Sequence, residues 1–296
     1  MGADGLLTRQ PLAVRDGIPR FVESGYADSF GEQWNRYRRV QLDSVTGKPL
    51  SANRLWEGTG WRPEELVGDR VLEIGAGAGR FTEVLLAAGA EVVAVDASSA
   101  IEACHANNPS DRLTALQADL FDLPLEPGTF DRVLCYGVLQ HTPDPRGAFL
   151  AVVEHARPGG LVAADVYRRA DYVDRWSSKS LWRPLTTRMS RDRLRRIVEW
   201  YVPRWLPLDT RLARVPRIGR LLTAVVPCWN YTGLLDLTPD ELRAWAVLDT
   251  FDALSPRYDR PQTLESVEEW VQAAGLEDTE VRVGGNGILI NGRRPS

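Results

Sequence analysis

Lysine is nearly absent from this chain: Lys48 and Lys179 are the only two, so arginine carries the basic charge. So uniform a bias reflects genome composition, and arginine richness alone is no sign of phosphate recognition, although arginine is the better phosphate ligand. Cysteine is scarce too. Cys104, Cys135 and Cys228 are odd in number and far apart, which excludes a disulfide framework or a zinc knuckle and suits a reducing cytoplasm. Long apolar runs are missing. The opening MGADGLLTRQ lacks the apolar core of a signal peptide, and LLTAVVPCW, the longest later apolar stretch, is too short to span a bilayer. A net charge of -4 gives no reason to expect a polyanionic partner for the whole chain. These absences predict a soluble cytoplasmic protein, monomer or homodimer, with no nucleic-acid partner, no membrane span and no metal.

What is present suffices for one large α/β domain carrying an insertion: 296 residues, 44% of them hydrophobic. Residues 1–20 hold Gly, Asp, Arg and Pro without period and read as a loose lead-in. From Phe21 the pattern turns helical, with Tyr26, Phe30, Trp34 and Tyr37 on one face. That face either packs on the core or lids a ligand. Between residues 71 and 167 strand and helix signals alternate, as in βαβ units of a parallel sheet. Strands are expected at 71–75, 91–96, 113–119, 131–137 and 160–166, with helices at 80–88, 99–107 and 146–156. A final helix at 264–276 leads to strands at 277–283 and 285–293, joined by a turn so short that they run antiparallel. The expected fold is a doubly wound, seven-stranded, mostly parallel sheet with an antiparallel last strand and a helical cap inserted after strand 5. The expected domains are an N-terminal helical lid segment (1–65), a core (66–167 and 263–296) and a cap that binds an acceptor (168–262). The insertion is too long for a structureless loop. It holds six tryptophans and opens as a basic stretch, with 15 Lys or Arg against 5 Asp or Glu over residues 168–220.

The run VLEIGAGAGRF, residues 71–81, places Gly75, Gly77 and Gly79 at alternate positions directly after the first core strand. In doubly wound sheets such a turn marks the crevice where ligands bind. Dinucleotide binding asks for G-x-G-x-x-G, and the third slot here holds Arg80, so the fit to NAD is imperfect. Glu73 ends the strand, where an acid opposes a pyrophosphate but can hold an ammonium group through solvent. Together, E-x-G-x-G-x-G resembles motif I of the class I S-adenosylmethionine (SAM) methyltransferases, in the small-molecule, bacterial, type 11/25-like branch.

The resemblance extends along the chain. It implies SAM as cofactor and assigns Glu73, Gly75, Ala76, Gly77 and Gly79 to its cradle. Asp96, with Ala97 beside it, stands where the family's acid accepts both ribose hydroxyls. Asp119 and Leu120 stand where an acid reads the adenine amino group and an apolar neighbour stacks on the ring. CYGVLQHTPDP, residues 135–145, looks like the fourth-strand motif, whose Tyr136 and Gly137 line the methionine end, and PGG at 158–160 completes the pattern. The segment GYADSFGEQW also looks like a family preamble whose aromatics, Tyr26, Phe30 and Trp34, cover the cofactor.

Methyl transfer is an in-line displacement, so geometry comes first and a base second. His141, just after the fourth strand, is the candidate general base, and Tyr136 stands with it as a catalytic candidate. The other reading of His141 is a residue that caps the next helix or orients Gln140. Asp249, Asp252, Tyr258 and Asp259 crowd residues 248–261. Without His or Cys beside them they suit pairing with the insertion's arginines better than a metal. The expected reaction is methylation, at oxygen, of a small-molecule acceptor such as a natural product or saccharide. No Asn-Pro-Pro-Tyr type motif follows the fourth strand, which counts against methylation of adenine in nucleic acid. The alternatives are C-methylation or SAM-dependent cyclisation of a terpenoid-like substrate, an NAD-dependent oxidoreductase, and a non-catalytic SAM-binding regulator.

Overall fold

The computed structural model describes residues 6–22, 31, 34–169, 178–215, 225–285 and 287–296. Tyr26 and Phe30, expected over the cofactor, lie outside them. The described chain divides into two units: Met1–Asp43, Pro49–Arg169 and Tyr258–Ser296 form the first, and Ser44–Lys48 with Ala170–Arg257 form the second.

The first unit is built on one sheet. Its strands are β1 (Ala13–Arg15), β2 (Ile18–Arg20), β3 (Arg70–Ile74), β4 (Glu91–Asp96), β5 (Leu113–Gln117), β6 (Phe130–Cys135), β7 (Ala156–Tyr167), β8 (Glu277–Gly284) and β9 (Gly287–Arg293), in the spatial order β1-β2-β5-β4-β3-β6-β7-β9-β8. Strands β3 to β7 pair in parallel, and β9 runs antiparallel to β7 and β8. The strand order reverses at β3, which puts the glycine turn at the topological switch point.

The sheet has nine strands where seven were expected. The extra two come from the supposed lead-in, where Asp16 and Gly17 both have positive φ, 51° and 77°. Two such residues are what a two-residue type I′ hairpin turn demands, and Asp-Gly is its usual sequence. The hairpin joins the sheet through Arg20, opposite Gln117 of β5. The buried Arg20 guanidinium donates to Gln117 and to Glu102.

Period-two alternation divides the core between the two sheet faces. On one face Leu72, Ile74, Val93, Val95 and Val133 pack against Phe149 and Val152 of α4 (Pro145–Glu154) and Val267 and Trp270 of α8 (Leu264–Ala274). On the other, Val71, Val92, Ala94 and Leu134 pack against Leu55 of α1 (Leu50–Thr59), Phe81 and Leu85 of α2 (Arg80–Ala87), and Ile101 of α3 (Ala100–Asn107).

The second unit is helical, as expected of the insertion. It holds α5 (Ser178–Thr186), α6 (Arg191–Leu212) and α7 (Pro239–Leu254). A capping box between Thr238 and Glu241 starts α7 and satisfies two of its orphan backbone donors. Arg183 ties α5 to the end of α7 by donating to the carbonyls of Ala253 and Pro256. Asp249 accepts from the Tyr231 hydroxyl and the Trp245 indole. No metal-binding cluster of His, Cys, Asp and Glu occurs among the described residues. No described helix is long and apolar enough to cross a membrane.

Candidate active site

The glycine turn follows β3 and leads straight into α2. Gly75, Gly77 and Gly79 all have positive φ, at 78°, 54° and 85°, a region costly for residues with a Cβ. Their spatial roles differ. A Cβ on Gly75 would lie 2.1 Å from Val138 Cγ2, and one on Gly79 would lie 2.3 Å from Asn108 Nδ2 and 3.1 Å from the Cys104 backbone. These two glycines let neighbouring chain pack closely. At Gly77 the nearest atoms to the Cβ position are those of the Trp34 indole, at 3.6 Å, ordinary van der Waals contact. Ala76, buried beside it, is held by its backbone N–H on the Val95 carbonyl.

Asp96 ends β4 beside this turn. One carboxylate oxygen accepts the Gly77 N–H at 2.9 Å, and the other accepts the Ser98 N–H at 2.8 Å and the Ser98 hydroxyl at 2.6 Å. A carboxylate offers about four acceptor positions, so one remains on the oxygen that holds Gly77. Burial pushes the Asp96 carboxyl up from its ordinary range against the pull of these three donors. Ala97 is half-buried, and its carbonyl accepts from Gln117 Nε2. Asp119 caps the short turn after β5 by accepting the Phe121 N–H at 3.0 Å, while Leu120 is buried.

Glu73 is placed differently from its sequence expectation. It lies on the same face as Val71 and Ala94, beneath α2, with 2% of its surface exposed. Thr82 donates to it at 2.5 Å, and the same hydroxyl lies 3.3 Å from Cys104 Sγ. Burial raises the Glu73 carboxyl to about 8 and pushes the Cys104 thiol up as well. Its burial beneath α2 sets Glu73 back from the rim at which a solvated contact with an ammonium group is expected.

Tyr136 and Gly137 follow β6. The Tyr136 ring turns into the core, edge-on to Phe81 and against Gly58 of α1, with its buried hydroxyl unpartnered. Burial raises that phenol. The Tyr136 hydroxyl is thus buried, as His141 Nε2 is. Gly137, at φ 77°, presents its N–H to Asp165 on β7. Asp165 also takes Arg54 of α1 at 3.0 Å.

This Asp165–Arg54 pair escaped the sequence reading, because an acid inside the apolar run GLVAADV carries no spacing signal. Replacing Asp165 by Asn keeps an oxygen for Gly137 but removes the charge facing Arg54. The Arg54 side chain is 24% exposed, so water takes up part of the loss. We expect urea unfolding to show about 1–2 kcal/mol of destabilisation; an unchanged midpoint would show that the pair does not brace the turn.

His141 lies in the single helical turn Leu139–His141 and is buried. Its Nδ1 is 3.1 Å from the Tyr258 carbonyl. A carbonyl only accepts, so Nδ1 carries the proton and the lone pair of the neutral ring sits on Nε2. Tyr167 meets the ring edge-on at 5.4 Å. The neighbouring Gln140 carbonyl accepts from Arg260 N, and its side chain accepts from Tyr167 N. Gln262 pairs with the backbone of Tyr167 and Arg169. The chain therefore leaves and re-enters the first unit beside His141, another feature that no local motif announces.

Backbone turns and carboxylates at the strand ends suit a ligand that offers hydroxyl and amino donors. They do not suit a pyrophosphate, and Arg80 in the third slot is already engaged with Gln41 and Ser51.

Residues 72–164 match the family model described as a methyltransferase domain. A ubiquinone biosynthesis O-methyltransferase of Xanthomonas campestris is 32% identical over 157 residues, 46% of this chain and 64% of that protein. One from Methylococcus capsulatus is 32% identical over 110 residues, 36% of this chain and 46% of that protein. The chain thus spans less than two thirds of the length of these relatives. A putative S-adenosyl-L-methionine-dependent methyltransferase of Methanococcus maripaludis, 13% identical, superposes with a TM-score of 0.50 over 93% of this chain and 96% of that one, a likeness of fold. Over residues 72–164, then, the chain is similar to a methyltransferase domain.

Proposed function

We propose that this protein transfers the methyl group of SAM to a hydroxyl of a small-molecule acceptor. The observation that carries the reading is Asp96: a carboxylate that organises the Gly77 turn and keeps one acceptor position beside it. That position takes one ribose hydroxyl directly, and acceptance of both requires the Ser98 hydroxyl to turn away. Trp34 covers the turn at Gly77, and Asp119 with Leu120 supplies an acid and an apolar wall for the adenine. The SAM sulfonium supplies the electrophilic methyl carbon.

The chain's own part is to bind, orient and accept a proton. An in-line reaction requires the acceptor oxygen about 3–3.5 Å from the methyl carbon. His141 Nε2 is the base that accepts the hydroxyl proton, with the Tyr258 carbonyl fixing the tautomer. The insertion is rich in tryptophan and arginine, side chains that suit an acceptor with an apolar or ring body bearing an anionic group. Natural products and saccharides of that description are the candidate acceptors, and the relatives named for ubiquinone biosynthesis support an oxygen acceptor with a ring.

Calorimetry with S-adenosylhomocysteine against NADH tests the cofactor, and transfer of labelled methyl to phenolic and glycosidic hydroxyls tests the reaction. Binding of NADH alone would overturn the reading; binding of S-adenosylhomocysteine without transfer to any acceptor would favour a regulator. His141→Gln should lower kcat about a hundredfold with cofactor affinity unchanged. Unaltered turnover would leave His141 a structural residue.

A further inference from the structure

We propose that the outward face of α6 docks this protein on an anionic lipid surface. Helix α6 buries one stripe, Leu194, Val198, Val202, Leu206 and Asp209, in the second unit. The opposite stripe, at the same 3.6-residue period, is not the ordinary solvated face of such a helix. It exposes Ile197, Trp200 and Leu208, with Trp200 64% exposed. Arg193, Arg196, Arg204 and Arg211 interleave with them and are exposed as well. Arg204 lies over the Trp200 ring at 5.1 Å.

Charge on this helix is sorted by side. Its two exposed or half-buried acids, Asp192 and Glu199, lie on the flank and both pair with Arg195. Among the described residues none of the four outward arginines has a carboxylate partner, while Arg196 and Arg204 donate to backbone carbonyls. A solvated face gains nothing by exposing a tryptophan between unpaired guanidiniums. A surface with negative headgroups above an apolar interior matches both components: the arginines meet the headgroups, and Trp200, Ile197 and Leu208 enter the interfacial layer. A nucleic acid would match the charge but leave the two aliphatic side chains uncovered. Docking here is independent of methyl transfer and needs no membrane-spanning segment.

The test is flotation of the full chain with phosphatidylcholine vesicles, with and without phosphatidylglycerol. Binding is expected only with the anionic lipid and should weaken as salt is raised. A variant carrying Arg193→Gln, Arg196→Gln, Arg204→Gln and Arg211→Gln should bind at least about a hundredfold more weakly, since each basic side chain near such a surface contributes roughly fivefold. Trp200→Ser, at an exposed position, should weaken binding several-fold with the salt dependence unchanged, and this variant decides the matter if the quadruple one fails to fold. Absence of binding to anionic vesicles, or binding indifferent to both variants, would overturn the proposal. So would release by inorganic phosphate at constant ionic strength, which marks a site for a free anion. A dimer in sedimentation velocity that the variants dissolve would assign the face to a second copy of this chain.

Discussion

Replacing Asp96 by alanine should lower the affinity for S-adenosylhomocysteine by about a thousandfold, at a cost of about 1–3 kcal/mol in global stability. Hydrogen bonds to a charged acceptor contribute about 1.5–3 kcal/mol each, and the substitution removes at least one contact to the ribose. It also releases the Gly77 N–H and both Ser98 donors, so the turn loses the group that organises it. Gly77 and Ser98 are buried, so the released donors lose their acceptor without full access to water, and a loss of about 1–3 kcal/mol in urea unfolding accompanies the loss of affinity. Asp96→Asn separates the two effects. The amide keeps one oxygen to accept Gly77 N–H but loses the charge and half the acceptor capacity, and its affinity should fall between the two, about tenfold below the parent. Ser98→Ala should act in the opposite sense, by returning Oδ1 acceptor capacity to the ribose. Calorimetry on the three variants checks the ordering, and an alanine variant that binds as tightly as the parent would remove the central contact of the proposed site.

What could be read from the sequence follows from how locally each feature is encoded. Strands β3 to β7 and their helices were legible because burial on both sides makes each strand a continuous apolar run, and each helix has its own period. The antiparallel end was legible because a four-residue turn leaves no other geometry. The β1–β2 hairpin was missed although Asp16-Gly17 is a strong turn signal, because strands of three residues give too little alternation to set against a proline- and arginine-rich background. In the candidate site, Asp96 and Asp119 stand at the ends of their strands as expected. Glu73 and Tyr136 do not reach the rim, and the reason is parity: Val71, Glu73 and Gly75 alternate with Leu72 and Ile74, so side chains of the odd set turn under α2 once the strand is paired. Asp165 and the strap Tyr258–Gln262 were invisible because each acts through partners distant in sequence, Gly137 and Arg54 for the first, Gln140, His141 and Tyr167 for the second.

Glu73 has the second large expectation, a pH dependence of stability. Its carboxyl titrates near 4.5 in the unfolded chain and near 8 in the folded one, because burial disfavours the charged form. Between those values the folded state holds a proton that the unfolded state has released, so stability is full below about pH 4.5 and falls as pH rises to about 8, after which this group contributes no further change. Each unit of separation is 1.36 kcal/mol, which makes the whole window worth on the order of 5 kcal/mol. Glu73→Gln removes the titration while keeping a neutral oxygen to accept the Thr82 hydroxyl. The variant should therefore gain on the parent as pH rises, by several degrees of Tm between pH 5 and 8 at roughly 2–4 °C per kcal/mol, with affinity for S-adenosylhomocysteine unchanged. A Tm difference that does not vary with pH would show that the carboxylate is ionised in the native protein. Loss of cofactor affinity in the glutamine variant would restore Glu73 to the cofactor's ammonium group, which its place beneath α2 argues against.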